Sequence, residues 1–362
     1  MDEIRHEVRK LLSGFGPDYF RERDRDRDFP EAVFRAVGEA GYYGTLIPQE
    51  YGGVAAGVGP ASILVEEVNR SGGDATAVHA QMAICGTLIR DGSEEQRRRY
   101  LPAIARGELR MLSVAATEPD SGADMTTLKS TARRDGESWV VNAQKVLISM
   151  AEHTDLMLLL TQADEGPTLF LIDMREHRAS IQIHPIELIA HRMTTTLFVD
   201  ELKLPDSARV GPPGHGLRCL MKGFAPRRAM AAAECIGNAR FMLDHALEHA
   251  RTRKVRGTLI GEHQGVSYPL TQAYARVEAA DLMRWDAIRS IDAGEDADGR
   301  SALAKILASE AAWETARAAL TAFGGWGLGA EYHVERKLRE STVFVFNNLL
   351  LSLVAKRVLG LP

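Results

Sequence analysis

Cysteine is scarce in this 362-residue chain: there are three, Cys85, Cys219 and Cys235, far apart and without C-x-x-C spacing. That excludes a disulfide framework and a zinc site of ordinary ligand spacing, and it points to a reducing compartment, the cytoplasm. Long apolar runs are missing as well. No stretch of about 18 uncharged apolar residues occurs, so no membrane span is expected. Residues 1–10 carry three acidic side chains and lack the apolar stretch of a signal peptide. Positive charge is not in excess: 44 Lys and Arg stand against 49 Asp and Glu, a formal net charge of −5. A general nucleic-acid binder would carry a basic domain, so that class is excluded.

What remains is an ordinary globular composition, 45% hydrophobic and 26% charged, long enough for about two to three domains. Its periodicity changes twice. Residues 1–110 read as a helical domain, with Phe34, Val37, Ala40 and Tyr43 at helical spacing. Within it, SEEQ at 93–96 has the form of a capping box. Residues 111–212 carry short apolar runs at 139–141, 146–148, 156–160, 169–172 and 197–199, and Asp135-Gly136 is a hairpin signal. This block is expected to be a small antiparallel β-barrel or sandwich. Residues 213–362 return to helical spacing. Ala232, Cys235, Ile236, Ala239, Met242, Leu243, Ala246 and Ala250 form one stripe of a long helix, and further helices are expected over 262–292 and from about 301. The pattern predicts an α+β multidomain chain ending in a four-helix bundle.

Three segments, in order, resemble the acyl-CoA dehydrogenase family. The first, ATEPDSGAD at 116–124, is similar to that family's T-E-P-x-A-G-S-D. The resemblance implies that Thr117, Gly122 and Ala123 lie along FAD, with backbone N–H groups toward its pyrophosphate. The second, NAQKVLIS at 142–149, resembles N-G-x-K-x-W-I. It implies that Leu147 replaces the tryptophan covering the flavin and that Ser149 lies at the flavin N5 edge. The third joins RKVRGTLI at 253–260 and Gln264 to FGGWGLGAEYHVER at 323–336. In the family these clasp the ADP half of FAD from a neighbouring subunit. Arg253, Gln264, Gly324 and Gly325 match the pattern, while Arg256 replaces a phenylalanine and Thr321 a glutamine. The likeness extends to IPQEYGG at 47–53 and VLGLP at 358–362. It implies the family's fold, FAD and a homotetramer or homodimer.

Family chemistry needs a carboxylate to take the α proton of an acyl thioester while a hydride passes to the flavin. Two glutamate positions are known for it, and this chain has neither. The C-terminal Y-E-G-T loop is absent from the run RESTVFVFNNLLL at 339–351. The long-helix glutamate of L-x-x-E-R falls on Arg227, followed by Arg228, in FAPRR at 224–228. An arginine stays protonated and cannot act as an ordinary base. Glu234, about 10 Å further along the same face, is expected to be structural, and Glu118, Glu335 and Glu340 to be salt-bridge partners. His153 and His191 are minor candidates for titration near neutrality.

The resemblance therefore implies an FAD oxidoreductase acting on a thioester of CoA or acyl carrier protein. Arg227 and Arg228 would meet the substrate, and Gln81, Met82 and Cys85 would wall the acyl pocket. Electron-transfer flavoprotein or oxygen would accept the electrons. Two alternatives stay open: a catalytically silent subunit paired with an active paralogue, and a flavin-dependent monooxygenase of the same fold.

Overall fold

The computed structural model describes residues 1–361 apart from 123, 126, 191 and 192. The chain begins with helices α1 (Asp2–Leu12), α2 (Pro17–Asp26), α3 (Glu31–Glu39), α4 (Val58–Arg70), α5 (Thr76–Asp91) and α6 (Glu94–Ala105). Strands follow: β1 (Ser113–Ala115), β2 (Thr131–Asp135), β3 (Ser138–Ser149), β4 (Leu156–Ala163) and β5 (Gly166–Asp173). After the short α7 (Met174–His177) come β6 (Ile181–Pro185), β7 (Thr194–Pro205) and β8 (Arg209–Val210). The rest is α8 (Gly216–Met221), α9 (Phe224–Thr252), the β9 (Lys254–Val255) and β10 (Thr258–Leu259) hairpin, α10 (Gln264–Asp292), α11 (Asp298–Phe323), α12 (Val334–Ser341) and α13 (Asn348–Arg357).

Helical, then β, then helical is the order the periodicity predicted. The capping box forms as read: Ser93 Oγ accepts from Gln96 N at 3.1 Å, and Gln96 Oε1 accepts from Ser93 N at 3.0 Å. The Asp135-Gly136 hairpin joins β2 and β3, with Gly136 at φ 63°.

The chain folds as two compact units. One contains Phe34–Ala55 and Ala80–Phe224 and holds the main sheet. Strand order is β6-β7-β3-β2-β4-β5-β8, with β1 beside β4. The sheet is mixed where an antiparallel one was expected, because β1 and β2 each pair parallel to β4. Those partners are separated by the β2–β3 excursion, which gives the chain length a parallel pairing needs. The runs read at 139–141 and 146–148 are one strand, β3, interrupted by register shifts between Val141 and Ala143 and between Lys145 and Ile148.

The other unit contains Met1–Val33, Ala56–His79 and Ala225–Pro362. Alanines dominate where α9, α10 and α11 meet, among them Ala239, Ala246, Ala273, Ala280, Ala308 and Ala312. Small side chains bring helix backbones close. The extreme case is Gly237 on α9, where a Cβ would lie 2.2 Å from the Glu66 carbonyl oxygen on α4. Only glycine permits that approach. Buried charge accompanies it: the Glu66 carboxylate is ion-paired with Arg5 at 2.8 Å, with Arg284 at 2.9 Å and with Arg240.

Candidate functional site

In the sheet-bearing unit, the 116–118 turn is anchored by a buried ion pair. Lys145 Nζ donates to Glu118 Oε1 at 2.7 Å and to the Ala116 carbonyl at 3.2 Å. The backbone N–H groups of Lys129 and Ser130 also donate to that carboxylate, at 2.6 and 3.1 Å. Burial alone would raise the Glu118 pKa, but these hydrogen bonds outweigh it and hold the carboxyl below its ordinary value. Burial pushes the Lys145 amine down, against the pull of Glu118. Val146 N donates to the Thr117 carbonyl at 3.0 Å, which fixes the turn beside β3.

One residue further on, β3 bulges. Leu147 adopts φ 56° and is 56% exposed. A left-handed leucine is disfavoured, and here it turns an apolar side chain outward. Ser149 closes the strand, its carbonyl accepting from Ser113 Oγ at 2.7 Å. Gly122 is exposed, and a Cβ on it would meet nothing within 4 Å. Thr117, Leu147 and Ser149 are thus brought along one strand and its adjoining turn; Ala123 lies outside the described residues, as does His191.

The other unit carries the second group. Arg253 follows α9 and is exposed. Arg256 and Gly257 are the two central residues of the β9–β10 hairpin, at φ 52° and 86°, as a tight primed turn requires. Gln264 opens α10 and is exposed; Gly324, at φ 59°, caps α11. No atom would meet a Cβ on Gly324 or Gly325 within 4 Å. Thr321 is exposed, its hydroxyl donating to the Arg317 carbonyl at 2.9 Å. Among the described residues neither Arg253 nor Arg256 has an ion-pair partner. Exposed guanidinium groups, and glycine backbone that can be closely approached, each suit a polyanionic ligand.

The substrate candidates divide. Gln81 is buried with its amide fully engaged: Nε2 donates to the carbonyls of Leu109 (2.8 Å) and Ile104 (3.3 Å), and Oε1 accepts from Met111 N (2.8 Å). Met82 and Cys85 are wholly buried, and burial pushes the Cys85 thiol up to about 12. All three side chains are buried in the interior of their unit. Arg228 is held by Asp298 at 3.0 Å. Arg227 differs. It is reached by solvent and has no ion pair among the described residues, yet desolvation lowers its pKa, opposed by attraction to Glu234.

Between α12 and α13 the chain makes a short turn. Lys305 Nζ donates to the Phe344 carbonyl at 2.6 Å and to Asn347 Oδ1 at 2.7 Å, and Asn347 Nδ2 donates to Ser309 Oγ at 2.9 Å. Phe346 is left 81% exposed. Glu335 and Glu340 are salt-bridge partners as read, to Arg339 and to Arg336 with Lys337. Glu234 is buried against His79. Sequence reading missed His79 and Lys305, because their partners lie far along the chain and no motif spacing links them.

Comparison with known proteins follows this geometry. The acyl-CoA dehydrogenase N-terminal domain matches residues 1–108, the middle domain 113–200 and the C-terminal domain 214–356. Acyl-CoA dehydrogenase FadE12 of Mycobacterium tuberculosis is 33% identical, over 99% of this chain and 96% of that protein. Glutaryl-CoA dehydrogenase of Desulfococcus multivorans is 32% identical, over 94% and 90%. A glutaryl-coenzyme A dehydrogenase solved as its glutaryl-CoA complex superposes with a TM-score of 0.93 at 29% identity, covering 100% of this chain and 95% of that one.

Proposed function

The chain belongs to the acyl-CoA dehydrogenase family, and we propose that it is an FAD-dependent oxidoreductase acting on an acyl thioester of CoA or of an acyl carrier protein, without a glutamate at either usual base position. The observation that carries this reading is the clasp: Arg253, Arg256, Gln264, Gly324 and Gly325 stand exposed, with the cations unpaired, in a chain matched along its length by the family. Thr117, Gly122 and Ala123 would lie along the FAD pyrophosphate, with Leu147 and Ser149 beside the flavin ring. The clasp, with Thr321, would hold the ADP half in a homotetramer or homodimer. Bound FAD would supply the two-electron acceptor, passing electrons on to an electron-transfer flavoprotein or to oxygen. The domains in this reading are 1–110, 111–212 and 213–362.

The protein's own part is alignment. Arg227 cannot take a proton, but its charge suits an anionic or strongly polar acyl group. Lys305 holds the turn between α12 and α13 through the Phe344 carbonyl and Asn347 Oδ1. The test is anaerobic addition of saturated straight-chain acyl-CoAs to the purified yellow protein. Weak bleaching of the flavin is expected; robust bleaching would show that another base operates. Arg227→Glu restores the family's residue type and should raise bleaching if the surrounding geometry is intact. The missing glutamates also favour a second reading, a silent partner of an active paralogue, for which the protein alone would be colourless.

A further inference from the structure

Trp326 lies in the 3₁₀ turn Gly324–Leu328 that follows α11. Gly327 faces inward in that turn, where a Cβ would lie 2.9 Å from Leu320 Cδ1 and 3.1 Å from Phe323 Cβ. Its neighbours Trp326 and Leu328 are left outward, 53% and 69% exposed. The other tryptophans of the chain, Trp139, Trp285 and Trp313, are buried or half-buried. An indole is among the largest apolar surfaces a side chain can bury, so one left in water contributes little to the fold.

Trp326 ends a row of rings. Its indole leans on Tyr332 with centroids 5.7 Å apart, Tyr332 meets Phe323 edge-on at 5.7 Å, and Phe323 is stacked on His249 at 4.2 Å and 10°. Arg253 stands one helical turn beyond His249, its N–H donating to the His249 carbonyl at 2.8 Å. Its charge reaches the imidazole, which burial and Arg253 together hold below its ordinary pKa. The row therefore runs from an exposed cation to an exposed indole, and the open backbone of Gly324 and Gly325 joins Phe323 to Trp326. All of these residues belong to one compact unit. A cation and approachable N–H groups suit phosphates, and a free π-face suits a base; together they match a nucleoside diphosphate.

We propose that Trp326 is an adenine-recognising residue, its free indole face stacking on the purine of FAD while Arg253 and the glycine backbone hold the pyrophosphate. The inference rests on the FAD reading above and deepens it: the site selects the dinucleotide over FMN, which lacks the adenosine. Stacking needs a flat π-face and no hydrogen bond, so phenylalanine substitutes in part and an aliphatic side chain does not.

The test measures FAD retention by the purified full-length protein on dilution, from the fluorescence of released flavin, and FMN affinity by titration of the flavin-depleted protein. Trp326→Ala should weaken FAD binding by about tenfold and leave FMN binding unchanged. Trp326→Leu, which keeps the apolar bulk and decides the matter should the alanine variant not fold, should lose FAD to a similar extent; Trp326→Phe should retain most of the affinity. Undiminished FAD affinity in Trp326→Leu overturns the proposal. So does an equal loss for FAD and FMN, which marks damage to the turn, and so does an altered sedimentation mass with unaltered FAD retention, which marks a subunit contact. A native protein that binds no FAD overturns the FAD reading itself, and this one with it.

Discussion

Two populations of basic side chains in one unit of this molecule obey opposite rules. Arg5, Arg240 and Arg284 surround the buried Glu66 carboxylate, and Arg336 and Lys337 share Glu340. Arg336 and Lys337 also donate to the carbonyls of Gly72 (2.7 Å) and Gly73 (2.6 Å), tying α12 to the turn after α4. Arg253 and Arg256 are exposed and without ion pairs among the described residues, and Arg256 sits in a left-handed conformation. A buried cation must be paired or the unit does not form. An exposed cation on a strained hairpin returns nothing to the fold. On the function proposed above, the difference separates side chains that serve stability from those that would meet FAD.

The largest effect should come from breaking the first population. Glu66→Gln removes the one carboxylate that three arginines share, leaving Arg5 to Glu67 and Arg240 and Arg284 to Asp281, and should cost about 3 kcal/mol in chemical denaturation. The pH dependence has a definite sign. Burial alone would raise the Glu66 pKa, but Arg284, Arg5 and Arg240 overcome it and hold the carboxyl at about 2, against 4.5 ordinarily. A depressed carboxyl pKa contributes stability that is present above pH 4.5 and lost as pH falls toward 2. The native protein should therefore lose stability across that window more steeply than Glu66→Gln. Glu340→Ala should cost about 3 kcal/mol or more by removing the carboxylate shared by Arg336 and Lys337.

The second population should respond in cofactor affinity. Arg253→Ala is expected to weaken FAD binding by roughly 1.5–3 kcal/mol, as for a lost charged hydrogen bond. Its unfolding free energy without cofactor should change by no more than about 0.5 kcal/mol. The smallest effect is expected at the hairpin tip. Arg256→Gly relieves a left-handed residue and should stabilise the apoprotein by up to about 1 kcal/mol while leaving FAD binding no tighter. A large loss of stability on Arg253→Ala would erase the distinction between the populations.

How much of this was legible beforehand follows the range of the interactions. The Ser93–Gln96 box, the Asp135-Gly136 turn and the alanine stripe of α9 are local patterns, and they appear where the residues put them. The proposed FAD clasp rests on resemblance; what the structure adds is that Arg256 and Gly257 sit at a hairpin tip and Gly324 at a helix end. Parallel pairing of β1 and β2 with β4 was not, since strand direction depends on partners far along the chain. The interior setting of Gln81 was hidden for the same reason: its amide is taken by backbone at Ile104, Leu109 and Met111. His79 and Glu234 are separated by 155 residues, beyond any local signal.

The most direct test of the account is the visible spectrum and flavin content of the purified chain, taken beside Arg253→Ala. The account predicts a yellow native protein near one FAD per chain, and a folded variant that loses flavin on dilution. A colourless native protein that takes up no FAD on titration, or a variant that retains it with undiminished affinity, would contradict it.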